Sequence, residues 1–152
     1  MPLRPKVLQV GCGSFGLTHL EAWRRLGLRD SLWVADPDPE ARARAAAWDI
    51  PAARIVADYR AVLGEVDVVD VIAATARHVE ICLAAIAAGK DVFVEKPLTL
   101  FAEEARRLAE AVEAAGRVLQ VGYYFRHHPL SAYARERIAQ GNLGEVRYLS
   151  GN

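Results

Sequence analysis

Gly11-Cys12-Gly13-Ser14-Phe15-Gly16 sets glycines at the first, third and sixth positions of a loop that follows the apolar run Val7-Leu8-Gln9-Val10. Between a strand and a helix this spacing has a defined use. Gly11 permits a tight turn, Gly13 lets the backbone approach a pyrophosphate with no side chain in the way, and Gly16 lets the helix pack closely on the strand. Ser14 and Phe15 open that helix, where unpaired N–H groups and a partial positive charge attract phosphate. Asp36 stands twenty residues after Gly16, at the end of a second apolar run, Leu32-Trp33-Val34-Ala35. A carboxylate there accepts hydrogen bonds from ribose hydroxyls and repels a 2′-phosphate, so the two features together predict a dinucleotide site that takes NAD in preference to NADP. Arg42, one turn into the next helix, is a cation within reach of a phosphate and keeps NADP open. The reading without a ligand is a glycine-rich turn beside a helix-capping aspartate. Order, spacing and context weigh against it.

A second centre is Glu95-Lys96-Pro97, at the end of the run Val92-Phe93-Val94. In doubly wound sheets this carboxyl edge is where ligands bind. A lysine there can polarise a carbonyl or hydrogen-bond an alcohol during hydride transfer. Taken alone, the pair also reads as a solvated Glu–Lys pair ahead of a helix.

The elements that must position these residues follow from periodicity. Apolar runs at 7–10, 32–35, 55–56, 66–73, 92–94 and 118–121 read as buried strands. Leu17, Leu20, Trp23 and Leu26 have helical spacing, stopped by Gly27. Asp38-Pro39 supplies an N-cap and a first-turn proline for a helix reaching about Trp48. An Ala-rich helix from His78 to Ala88 closes at Gly89. Thr99 is the expected cap of a helix to Ala115, with Ala105, Leu108, Ala109 and Val112 inward and a Glu103–Arg107 pair outward. A last helix spans 129–140, and Val146-Arg147-Tyr148-Leu149 reads as a final strand with no neighbour, an edge open to pairing with a second copy. Wholly apolar strands alternating with helices predict an α/β fold, a doubly wound, mostly parallel sheet of the Rossmann-like dinucleotide-binding kind.

Composition bounds the function. The 152 residues carry 19 Lys and Arg against 19 Asp and Glu, which gives no electrostatic footprint for nucleic acid or an anionic membrane. Hydrophobic residues at 53% and charged residues at 25% fit a globular domain. Cys12 and Cys82 are too few and too far apart for a zinc site or a disulfide framework, and suit a reducing cytoplasm. His127 and His128 are adjacent and face different ways, which argues against a metal pair. No apolar leader follows Met1, and no apolar stretch is long enough to span a bilayer.

With the glycine loop, the stretch 88–98 around Glu95-Lys96-Pro97, His78, the segment 121–129 and the run 141–146, the sequence resembles the Gfo/Idh/MocA family of oxidoreductases over nearly its whole length. The resemblance implies a dinucleotide-binding domain at 1–122. Residues 123–152 would be a connecting helix and the first strand of an otherwise absent, truncated second domain. It implies NAD(P)-dependent hydride transfer with a sugar, cyclitol or similar polyol. Lys96 would be the catalytic residue beside the nicotinamide. Glu95 would hold it or touch the cofactor, Pro97 would fix the turn, and His78 would be a cofactor-side or structural histidine. Arg126 matches a position near the substrate side. Where the family usually has Thr-Pro-Asn after the fourth strand, this chain has Ala73-Ala74-Thr75. The stiff proline is lost and Thr75 keeps a hydroxyl for the cofactor. The family's further catalytic aspartate and histidine belong to the second domain, so the isolated chain is expected to be inactive. A separate chain supplying that domain, or a homodimer, would be the protein partner. A stand-alone NAD-binding sensor or regulatory module, or a decayed copy, remains open.

Overall fold

The computed structural model of the chain describes residues 4–148 and 150. Six strands, β1 (Val7–Val10), β2 (Leu32–Ala35), β3 (Ile55–Val56), β4 (Val68–Val71), β5 (Asp91–Val94) and β6 (Leu119–Val121), form one sheet in the order β3-β2-β1-β4-β5-β6. Every pairing is parallel. Helices α1 (Ser14–Arg25), α2 (Pro39–Ala46), α3 (His78–Ala87) and α4 (Ala102–Ala115) lie between strands, and α5 (Pro129–Ala139) follows β6. The chain winds outward from the adjacent β1 and β4 in both directions. Their carboxyl ends therefore flank the crevice where crossover loops part, the doubly wound arrangement expected from the alternation of elements.

Both faces of the sheet are covered, so the strands are apolar along their length. Leu8, Val10, Val69, Val71, Val92 and Val94 pack with Ile81, Cys82, Ala85 and Ile86 of α3 and Leu108 of α4. Val7, Leu32 and Val34 pack with Leu20 of α1 and Ala41 and Ala45 of α2. Gln9 and Asp70 break the pattern. They are register partners on β1 and β4, and both are fully buried. A buried polar pair in the middle of a sheet calls for local hydrogen bonds; the Gln9 amide nitrogen and the Asp70 carboxylate find theirs on and around α1, while Gln9 Oε1 has no partner among the described residues.

Several local expectations change. Thr99 is not the cap of α4. Its hydroxyl donates to the Phe101 carbonyl, and the helix starts at Ala102 with Glu104 accepting from the Phe101 N–H. Glu103 pairs with Arg106 at 2.7 Å rather than with Arg107, because the i, i+3 geometry is the nearer one at this helix start. Ala109 is exposed and Ala111 takes its place against the core. Leu26 is exposed because α1 ends before it, in a turn closed by Gly27 at φ 73°. Residues 146–148 are not a strand, since no ladder reaches them among the described residues, and Leu149 lies outside those residues.

The chain divides into two compact units, Met1–Gly122 and Tyr123–Asn152. The first holds the whole sheet. The second holds α5, entered through His128, whose Nδ1 accepts from the Leu130 N–H and caps the helix. Among the described residues, no helix is long and apolar enough to cross a membrane.

Candidate functional site

The three loop glycines have different physical causes. Gly11 sits at φ 107°, and a Cβ there would lie 2.8 Å from the Ile72 carbonyl carbon and oxygen. The turn and the close approach to β4 both require glycine. At Gly16 a Cβ would lie 2.6 Å from the Gly11 oxygen, so this glycine lets α1 press onto the end of β1. Gly13 differs from both. Its φ of −65° and ψ of −172° suit any residue, and a Cβ would meet nothing within 4 Å. Neither backbone nor packing asks for glycine at 13. The space outside the loop is what its missing side chain leaves clear.

That space faces the start of α1. The helix has no side-chain cap and no acidic residue in its first turn, and Gly13, Ser14 and Phe15 are exposed. Its first N–H groups therefore point outward unpaired and carry the positive end of the helix dipole. Gln9 braces the loop from below, its amide donating to the carbonyls of Gly11 at 2.9 Å and Gly16 at 3.0 Å.

Asp36 lies against the same loop. Its Oδ2 accepts from the Cys12 N–H at 2.7 Å and its Oδ1 from the Asp38 N–H at 2.9 Å. A carboxylate has about four lone-pair sites, so both oxygens retain capacity for ribose hydroxyls. Arg42 donates to the carbonyls of Asp36 at 2.7 Å and Pro37 at 2.8 Å, which ties its guanidinium to the backbone beneath Asp36. Burial, reinforced by the Asp36 charge, pushes the Cys12 thiol up to about 11. A protonated Cys12 side chain fills the core behind the loop.

At the end of β5, Lys96 is exposed and Glu95 is buried. The Glu95 carboxylate turns into the fold. Its Oε2 accepts from the Lys96 N–H at 3.0 Å, and its Oε1 sits where a Cβ on Gly122 would approach to 2.6 Å. The Lys96–Pro97 bond is cis. His78 is buried, with Nδ1 3.1 and 3.2 Å from the carbonyls of Pro97 and Leu98 and Nε2 2.9 Å from that of Ala73. Its ring joins the loop after β4 to the turn after β5 through backbone oxygens. Thr75 is half-buried at the start of a short 3₁₀ turn, residues 75–77.

Sequence reading missed a buried network that links the two centres. His19 Nδ1 lies 2.9 Å from Asp70 Oδ2, and Trp23 Nε1 donates to that oxygen at 2.7 Å. His19 Nε2 lies 3.4 Å from Glu95 Oε1. Burial opposes a charge on His19, but Asp70 and Glu95 outweigh it and raise the imidazole above its ordinary 6.5. Burial raises the Asp70 carboxyl, with His19 and Trp23 opposing. The signal in the sequence was Asp70 itself, a charge inside the run Val68-Val69-Asp70-Val71.

Comparison with known proteins bears on this geometry. A profile of the oxidoreductase family with an NAD-binding Rossmann fold matches residues 6–123. The scyllo-inositol 2-dehydrogenase (NAD(+)) of Bacillus subtilis is 33% identical over 94% of this chain and 44% of its own length. The inositol 2-dehydrogenase of Paracoccus denitrificans is 37% identical over 89% of this chain and 41% of its own. Among solved structures, an NAD binding oxidoreductase from Klebsiella pneumoniae superposes with a TM-score of 0.79 at 30% identity, over 94% of this chain and 40% of that one. A levoglucosan dehydrogenase in complex with NADH superposes with a TM-score of 0.78 at 28% identity, over 91% and 40%. The chain thus spans less than half the length of the relatives it matches. It belongs to the Gfo/Idh/MocA oxidoreductase family, by way of that family's NAD-binding Rossmann domain.

Proposed function

We propose that this chain is the cofactor-binding part of an NAD-dependent dehydrogenase acting on a polyol or sugar, with NAD held at the glycine loop and Lys96 at the reacting end. The observation that carries the reading is Gly13, which stands at the uncapped start of α1 with open space where a side chain would lie, so that a ligand can reach the loop backbone there. The groups around it fit a dinucleotide. The N–H groups of Gly13, Ser14 and Phe15 would meet the pyrophosphate, with Gly11 and Gly16 shaping the turn. Asp36 would hold the adenosine ribose and disfavour a 2′-phosphate, while Arg42 is engaged with backbone carbonyls. Thr75 would border the cofactor, and His78 would act from behind by fixing the loops on either side.

When bound, the nicotinamide supplies hydride exchange with the substrate carbon. Lys96 would hydrogen-bond the substrate oxygen and stabilise the charge that develops there. Glu95 would keep the Lys96 backbone in place from inside the fold. The inositol 2-dehydrogenases and the levoglucosan dehydrogenase among the relatives support a polyhydroxylated substrate. Residues 123–152 would form the connection toward a substrate-covering domain.

The test is a titration of the chain with NADH and with NADPH, read by calorimetry. Saturable binding with NADH preferred supports the reading. Binding of neither, by a chain with a cooperative thermal transition, refutes it.

A further inference from the structure

We propose that His19 is a positioning residue for Lys96: clamped by Asp70, it holds the Glu95 carboxylate, which in turn holds the Lys96 backbone at the head of its turn. The inference rests on the reading of Lys96 as the residue at the reacting end. It goes beyond that reading in making α1, the helix that opens the phosphate loop, also the brace of the lysine turn.

The chain of contacts is continuous. Trp23 Nε1 donates to Asp70 Oδ2 at 2.7 Å, and His19 Nδ1 is 2.9 Å from the same atom. His19 and Trp23 are one helical turn apart and grip one carboxylate that is fully buried on β4. The opposite ring nitrogen, Nε2, lies 3.4 Å from Glu95 Oε1, and Glu95 Oε2 accepts from the Lys96 N–H at 3.0 Å. Gly122 on the far side leaves no slack, since even a Cβ there would meet Oε1 at 2.6 Å. Glu95 is thus pinned between Gly122, just past the end of β6, and α1.

The grip depends on protonation. With Nδ1–H donated to Asp70, a neutral ring turns a bare lone pair at Nε2 toward the Glu95 carboxylate. Only the imidazolium donates to both carboxylates at once. The charged groups facing the ring are Asp70, from β4, and Glu95, from the end of β5. Its other neighbours are the rings of Phe15 on α1, at 5.3 Å, and Phe93 on β5, at 6.0 Å. Two carboxylates around one imidazole favour the doubly protonated state, in the direction already noted for His19. If His19 and Trp23 served only to satisfy Asp70, protonation at Nε2 would leave Lys96 untouched.

The experiment follows the His19 ring and the Lys96 backbone amide by NMR through a pH titration of the full, isotope-labelled chain. The expected result is a Lys96 amide shift with the same midpoint as the His19 ring, above 6.5, and its loss in His19→Gln. A Lys96 amide that stays constant while His19 titrates overturns the proposal, as does a response that survives His19→Gln. Should that variant fail to fold, Glu95→Gln leaves the Asp70–His19–Trp23 contacts in place. It should abolish the Lys96 response and weaken proton binding at His19 by about tenfold; an unchanged His19 midpoint overturns the proposal. NADH titration alongside separates the two claims. Coupling without NADH binding supports the clamp and refutes the cofactor reading, whereas NADH binding without coupling refutes the clamp alone.

Discussion

Gly13→Ala should separate binding from folding. The glycine's φ of −65° and ψ of −172° are open to alanine, and the new methyl would meet no atom within 4 Å. The folded state therefore gains no clash, while the unfolded chain loses conformational freedom. That gain of about 0.4–1 kcal/mol is offset by the poorer N-cap that alanine makes at the start of α1, a cost of about 0.5–1 kcal/mol, so stability should change by less than about 1 kcal/mol, or roughly 4 °C in Tm for a domain of this size. The same methyl would stand between the loop backbone and a pyrophosphate. Losing that close approach should weaken NADH binding at least about tenfold, or about 1.4 kcal/mol, and Gly13→Val should weaken it further. Gly16→Ala is the opposite control. Its Cβ would lie 2.6 Å from the Gly11 oxygen, so it should cost about 1–3 kcal/mol of stability. The assays are thermal unfolding by circular dichroism and NADH calorimetry on the same samples. Undiminished NADH affinity in Gly13→Ala would refute the reasoning about the site, and a Tm lowered by more than about 4 °C would refute the geometry.

Asp36→Asn keeps one acceptor oxygen where two now serve Cys12 and Asp38, so it should cost about 1 kcal/mol of stability. The same change should narrow the NADH-over-NADPH preference about tenfold, and parallel titrations with both cofactors check this. Lys96→Ala should leave NADH affinity nearly unchanged while abolishing turnover in any preparation completed by a substrate domain; retained turnover would count against the lysine. For stability against pH, His19 is raised, so between 6.5 and its folded value the folded chain binds a proton that the unfolded chain has released. Unfolding free energy should fall as pH rises through that window, and His19→Gln should flatten the slope, measured by urea unfolding at a series of pH values. Burial holds the Cys82 thiol up to about 12 and Cys12 up to about 11. Both should react slowly with a chromogenic disulfide in the folded chain and rapidly in denaturant.

The sequence by itself determined the fold class, because period and punctuation are local properties. Strands apolar along most of their length, caps such as Asp38-Pro39 and stops such as Gly27 and Gly89 are read within a few residues of themselves, and together they predict a covered parallel sheet. The glycine loop and Asp36 were legible for the same reason, as a motif with fixed spacing. The run Val146-Arg147-Tyr148-Leu149 has a strand's local pattern, but a run becomes a strand only when a neighbour offers a ladder, and none reaches residues 146–148 among the described residues. Tertiary structure alone decided how the candidate residues are held. His19 and Asp70 are 51 positions apart, and no spacing rule joins them. They meet because β1 and β4 are neighbours in the sheet and α1 crosses the face on which Gln9 and Asp70 stand. Only that register separates Gly13, whose missing side chain faces open space, from Gly11 and Gly16, whose missing side chains are filled by the fold itself.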